Sequence, residues 1–375
     1  MIYLDHAATT QALKIATETM VKYSDEEFYN PSAGYASALA VKRALSDATE
    51  KFAELLGARK EEIIFTSCAT ESNNTAFECG VKNKKGNVVV SAVEHASVYE
   101  CAMRLRSRGV DVRFVNPNTD GVITEEALTS IMDENTSFVS IMHASNETGV
   151  INDLKKLSSI AKSISPKVVF HSDGVQAFCK INTNVDELGV DLYSVSAHKV
   201  GGLKGVGALY VRKGLNIPAY IVGGGQQSGR RSGTENVGGI IGFCEASQEY
   251  RNLSKSFDAQ KLRNIVIDRF LSYDWIKING GNNNTGYVIS LSFKGLRGEI
   301  LAHMVEENGV LVGLGSACST HVKTNRVLSA MGVPKSYSDG SIRLSFSPKT
   351  SVEEVERATE IILQSAVLLK EKING

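Results

Sequence analysis

An acid and a lysine at neighbouring strand ends, with a turn able to hold phosphate nearby, are the features of this sequence most able to do chemistry. The turn is Thr66-Ser67-Cys68-Ala69-Thr70-Glu71-Ser72-Asn73-Asn74, small and polar, at the point where an apolar run should hand over to a helix. A helix N-terminus with free N–H groups and hydroxyl donors holds phosphate, although a plain N-cap would use the same residues. Glu94-His95 follows a second apolar run; a His there can stack on a ring, shuttle a proton or merely satisfy a core hydrogen bond. His171-Ser172-Asp173-Gly174-Val175-Gln176 follows a later run. Ser196-Ala197-His198-Lys199 follows the next, ahead of the glycine-rich Gly201 to Gly207. A lysine amine forms a Schiff base with an aldehyde, and a carboxylate on a pyridinium nitrogen keeps that ring protonated as an electron sink. With a phosphate cradle, these are the requirements of pyridoxal phosphate. A strand-end Asp or Lys alone is usually only solvated; the set, in this order, carries the reading.

The elements that must position these residues show in the apolar pattern. Strands are expected at Glu62–Thr66, Asn87–Ser91, Val112–Val115, Phe138–Met142, Lys167–His171 and Leu192–Val195. Helical periods lie between them, as in Leu154, Leu157, Ile160, Ala161 and Ile164, stopped by Pro166. Leu39 to Leu56 is a further helix, with Gly57 as its C-cap. Strands alternating with helices imply a largely parallel sheet covered on both faces, with ligands beyond the carboxyl ends of the strands. The tail differs: strands at Tyr287–Phe293 and Ser341–Phe346, then a capping box at Ser351-Val352-Glu353-Glu354 opening a long helix. The polar stretch Arg251 to Ser256 is the expected boundary. The division is then a large domain over 15–250 and a smaller α+β domain made of 1–14 and 251–375.

Composition sets the outer limits. The 375 residues are 42% hydrophobic and 22% charged, with Lys+Arg 41 balancing Asp+Glu 41. Zero net charge argues against a protein that coats polyanions, so no direct nucleic-acid contact is expected. No apolar run approaches the 18 or so residues of a membrane span, and Met1 to His6 does not read as a signal peptide. A cytoplasmic enzyme is the expectation. The six cysteines, at 68, 79, 101, 179, 244 and 318, show neither disulfide nor metal-ligand spacing. No metal site is expected.

The motifs together resemble the class V aminotransferase-fold enzymes, specifically the cysteine desulfurases of nitrogen fixation and iron–sulfur-cluster assembly. Beyond the segments above, the resemblance rests on Tyr3 to Thr10, Asn30-Pro31-Ser32, Ser145-Asn146-Glu147-Thr148-Gly149 and Gly223-Gly224-Gly225-Gln226. Arg231-Ser232-Gly233-Thr234, Gly315-Ser316-Ala317-Cys318-Ser319 and Ile342 to Phe346 complete it. It implies an α/β fold, the type I fold of pyridoxal-phosphate-dependent transferases, with a mostly parallel seven-stranded sheet. It also implies that Lys199 carries pyridoxal phosphate, with Asp173 on the ring nitrogen, Gln176 near the ring oxygen and His95 on the ring face, where it also moves protons. Ala69, Thr70, Ser196 and His198 would hold the phosphate. Family members are homodimers, and Thr234 would reach the partner's phosphate. Asn146 and Arg343 would hold the substrate carboxylate, for which a planar guanidinium is well shaped. Cys318 would be the nucleophile, in a small-residue loop suited to exposure. L-cysteine would become L-alanine, with a persulfide left on Cys318 for a sulfur acceptor.

Three departures from the family pattern stand out. Cys68 replaces the usual Gly of the phosphate turn, and Tyr35 stands where a His often follows Asn-Pro-Ser. The residues after Cys318 lack the Glu-Pro-Ser-like run of many housekeeping members and are slightly fewer. The chain also ends soon after its last helix, without a long docking tail. These features leave the acceptor open between cluster assembly and nucleic-acid thiolation. His95 is a candidate to take the Cys318 proton; His321 is another, although a loop His is more often solvated. A selenocysteine lyase on the same fold is the nearest alternative, and a catalytically silent scaffold is the other.

Overall fold

The computed structural model describes residues 1–81, 86–315 and 325–374 of the chain. Strand β1 (Ile2–Leu4) opens it, and seven strands then build the main sheet: β2 (Ile63–Thr66), β3 (Asn87–Ser91), β4 (Asp111–Val115), β5 (Thr136–Ser140), β6 (Val169–Asp173), β7 (Leu192–Ser196) and β8 (Gly207–Val211). Their order across the sheet is β2-β8-β7-β6-β5-β3-β4. Only β8 runs antiparallel to its neighbours. Apolar residues cover both faces, as a buried parallel sheet demands. On one side Phe52 packs against Phe65, Phe178 and Phe243 at centroid distances of 4.8–5.6 Å. On the other, Phe77 meets Phe138 edge-on at 4.9 Å.

The remaining strands are β9 (Ile276–Asn279), β10 (Val288–Phe293), β11 (Val310–Val312) and β12 (Ser341–Ser345). The antiparallel sheet β12-β10-β9 and the parallel pair β1-β11 share a second core, in which Leu4, Leu291, Phe293 and Phe346 are almost fully excluded from water. The helix Val352–Asn374 closes over that core. Its capping box forms as expected: the Ser351 N–H donates to Glu354 Oε2 at 2.9 Å and the Glu354 N–H to Ser351 Oγ at 3.2 Å.

Differences from the expected elements have physical causes. The fourth expected strand lies two residues earlier, at Thr136–Ser140, because Ile141 and Met142 are buried beyond the ladder and not within it. β8 was hidden by the glycines leading into it. The polar stretch from Arg251 is the final turns of the helix Val237–Lys255, which packs as one element against the helices Lys14–Val21 and Ala36–Leu55. Among the described residues no helix is long and apolar enough to cross a membrane.

Candidate active site

The carboxyl ends of β2, β3, β6 and β7, with the amino end of β8, converge on one cleft of about 530 Å³. Ala69, Thr70, His95, Asn146, Asp173, Gln176, Ser196, His198, Lys199 and Arg343 all line it. Thr234 does not; it lies exposed, in a segment held when Arg231 pairs with Glu71 at 3.0 Å. Cys318 and His321 lie outside the described residues.

At one end of the cleft the helix Ala69–Gly80 begins without a side-chain cap, so its first N–H groups remain available to an anion. Gly207 makes room for this turn: a Cβ there would fall 2.6 Å from the Cys68 carbonyl carbon. Cys68 itself has φ −176° and ψ 169°, extended backbone open to any residue, so a side chain in place of glycine imposes no strain. The buried Ser196 Oγ has no hydrogen-bond partner among the described residues. His198 reaches Thr9 Oγ1 through Nδ1 at 3.2 Å, and burial lowers its pKa to about 4, so it is neutral.

Deeper in, Asp173 is held from both sides. Its Oδ1 accepts the Val175 N–H at 3.0 Å and its Oδ2 accepts Asn73 Nδ2–H at 2.9 Å. Both donors fix the orientation of the carboxyl group. Lys199 Nζ donates to Ala7 O and Ala8 O, each at 2.6 Å. Burial first, and then the positive charge of Arg343, lower its pKa to about 8, so part of the amine is neutral and nucleophilic as pH approaches 8. Cofactor uptake by apo-protein should therefore accelerate as pH rises through about 8. Absorbance-monitored reconstitution tests this, and a rate independent of pH across that range would contradict it.

Several contacts were not legible in the sequence. Arg343 already carries two acids: its Nη2 lies 2.8 Å from Asp5 Oδ1 and its Nη1 3.6 Å from Glu147 Oε1, with the Asn146 carbonyl at 3.0 Å. Any substrate carboxylate must share the guanidinium with them, and the buried Nε has no partner among the described residues. Gln176 donates to Ala7 O at 3.0 Å and accepts from Lys180 Nζ at 3.0 Å. Lys180 is lowered to about 7 by burial and by Lys199. Arg326 docks on the Ala92 and Glu94 carbonyls and lies 4.2 Å from the Tyr99 ring centroid. Glu94, wholly buried, is pushed up to about 8 by that burial, so its carboxyl is largely protonated at neutral pH. Of the residues in these contacts, Lys180, Arg326, Ala92 and Tyr99 lay outside the motifs that pointed to the site.

The donors fit pyridoxal phosphate. Free N–H groups and the Ser196 hydroxyl suit a phosphate, a fixed carboxylate suits a pyridinium nitrogen, and a depressed lysine suits an aldehyde. Among the described residues no group of three His, Cys, Asp or Glu side chains gathers to hold a metal ion.

Known proteins agree with this architecture. The aminotransferase class-V family model matches residues 2–358, and the chain belongs to that family of pyridoxal-phosphate enzymes. A cysteine desulfurase IscS of Dictyoglomus turgidum is 37% identical over 372 residues, spanning 96% of this chain and 93% of the relative. The solved structure of a NifS-like protein superposes with a TM-score of 0.90 at 33% identity, over 98% of this chain and 100% of the other. A structure described as SspA in complex with cysteine gives 0.82 at 30% identity, over 94% and 100%. Within its family the chain stands with the cysteine desulfurases.

Proposed function

We propose that this enzyme converts L-cysteine to L-alanine and leaves the sulfur as a persulfide on Cys318. The observation that carries the reading is the convergence of Lys199, Asp173 and His95 on one cleft that Arg343 also enters. Pyridoxal phosphate, when bound, supplies the electron sink for a carbanion beside the amino group. The chain does the rest. Ala69, Thr70, Ser196 and His198 hold the phosphate, Asp173 and Gln176 orient the ring, and His95 covers its face. Arg343 and Asn146 fix the substrate carboxylate. Lys199, neutral in part near pH 8, takes the α-proton. The Cys318 thiolate attacks the substrate sulfur; an S–S bond forms, the C–S bond breaks, and its electron pair stays with carbon, which is protonated to the alanine methyl. L-cysteine plus thiol thus gives L-alanine plus persulfide, with no outside oxidant or reductant.

The rest of the proposal concerns the setting. A homodimer accounts for Thr234, which is exposed and away from its own cleft, and for the exposed apolar Val21, Phe28, Tyr35 and Leu39 near the amino end. We assign residues 15–250 to a large domain and 1–14 with 251–375 to a small one; the core shared by β12-β10-β9 and the β1-β11 pair is separate from the core against the seven-stranded sheet, which supports this. The five described cysteines are free, as in a reducing cytoplasm. The sulfur passes to an acceptor protein in iron–sulfur-cluster assembly or nucleic-acid thiolation.

Purified, cofactor-loaded protein with L-cysteine and a thiol reductant should release L-alanine, and no alanine despite bound cofactor would contradict the reading. Arg343→Lys should raise KM for L-cysteine about tenfold or more, because a point charge cannot replace a bidentate fork. An unchanged KM would remove Arg343 from the carboxylate site.

A further inference from the structure

We propose that Asn73 and Ser97 are positioning residues, a relay that ties the Asp173 carboxylate to the His95 ring and fixes that ring's proton on Nε2. Asn73 is fully buried in the helix Ala69–Gly80, and its side-chain amide serves both functional groups. One Nδ2 hydrogen goes to Asp173 Oδ2 at 2.9 Å and the other to Ser97 Oγ at 2.9 Å. Turning the amide over would set its oxygen against the carboxylate, so Asp173 dictates which way Asn73 faces. Ser97 Oγ, already accepting from Asn73, gives its own hydrogen to His95 Nδ1 at 2.8 Å. The Ser97 backbone N–H donates to the same nitrogen at 3.2 Å, which makes the His95 ring the N-cap of the helix Ala96–Ser107. A backbone N–H cannot rotate away, so Nδ1 is held as an acceptor by two donors. The neutral ring must carry its hydrogen on Nε2.

The consequence bears on the proposed reaction, on whose placement of His95 in the site this inference rests. A ring with Nε2–H and an occupied Nδ1 has no free lone pair. It can give a hydrogen bond within the cleft, but it cannot take the Cys318 proton without breaking the helix cap. Base work therefore falls to Lys199, and His95 acts as a donor. The charged groups facing the ring are Asp173 and Glu147 against Lys199 and Arg326, two of each sign. The tautomer is set by the fixed donors at Nδ1. Asn73 and Ser97 also link two helices that pack against each other, Ala69–Gly80 and Ala96–Ser107, so a disturbance of the Asp173 carboxylate is passed to the ring through three consecutive hydrogen bonds.

The test is ¹⁵N NMR of the cofactor-loaded protein with labelled histidine, the His95 signals being assigned by their loss in His95→Gln. Wild type should show an unprotonated, pyridine-type Nδ1 and a protonated, pyrrole-type Nε2 at neutral pH. Ser97→Ala removes one of the two donors to Nδ1 and should raise the proton affinity of the ring about tenfold, one unit in its titration midpoint. Ser97→Thr, which keeps the hydroxyl, should restore the wild-type midpoint. Hydrogen on Nδ1 in wild type, or identical titration of wild type and Ser97→Ala, would overturn the proposal. These readouts do not depend on turnover, so a protein without desulfurase activity would still decide the relay.

Discussion

Lys199→Ala should abolish the absorption band of the lysine-linked cofactor and reduce L-alanine formation by at least about 10²–10⁴-fold, the loss expected from removing a positioned proton-transfer group alone. The expectation follows from where the amine sits. Its two short bonds to Ala7 O and Ala8 O hold it in the cleft, and burial makes it a usable nucleophile near pH 8. The side chain lines the cleft and supports no core, so truncation should leave the fold intact. Absorption spectra and turnover on the same preparation, with circular dichroism as the fold control, check the result. A retained band of unchanged position would mean that another amine carries the cofactor. Lys180, the other depressed lysine, would then be first to examine.

Asp173→Asn is the second large effect. The substitution conserves volume in a site that is 5% exposed, but exchanges an anion for a neutral amide. An amide cannot keep a pyridinium nitrogen protonated, and loss of one preorganised electrostatic partner costs about 10²–10³-fold in turnover. It also places an –NH₂ group opposite Asn73 Nδ2, or else turns its oxygen there and an –NH₂ toward the Val175 N–H, so one of the two supporting bonds is lost either way. Turnover within about threefold of wild type would be incompatible with a carboxylate acting on the ring.

How far these outcomes were legible beforehand differs between near and distant relations. The apolar runs located β2 through β7 to within two residues, because parallel strands buried on both faces have little choice but Val, Ile, Leu and Phe. Gly57, read as a helix C-cap, follows a helix ending at Leu55 and takes φ +65°. Residues at strand ends were readable as a set for the same reason: the topology delivers every carboxyl end of a parallel sheet to one edge. Cross-chain partners were not readable. Asp5 meets Arg343 across 338 residues of sequence, and Asn73 meets Asp173 across 100. Nothing in local pattern distinguishes an aspartate or asparagine that will make such a bond from one that will face water. Ser97 was hidden differently: next to His95 it resembles an ordinary first-turn serine, and its significance depends on the amide that reaches it from the neighbouring helix.

The most direct measurement is mass spectrometry of the peptide containing Cys318 after the cofactor-loaded enzyme has turned over L-cysteine without reductant and been alkylated. The peptide should gain the mass of one sulfur atom, in proportion to the first equivalent of L-alanine, and Cys318→Ala should bind cofactor normally yet give neither persulfide nor alanine. Sulfane sulfur on another cysteine, or alanine release undiminished in Cys318→Ala, would contradict the assignment of Cys318 as the sulfur carrier.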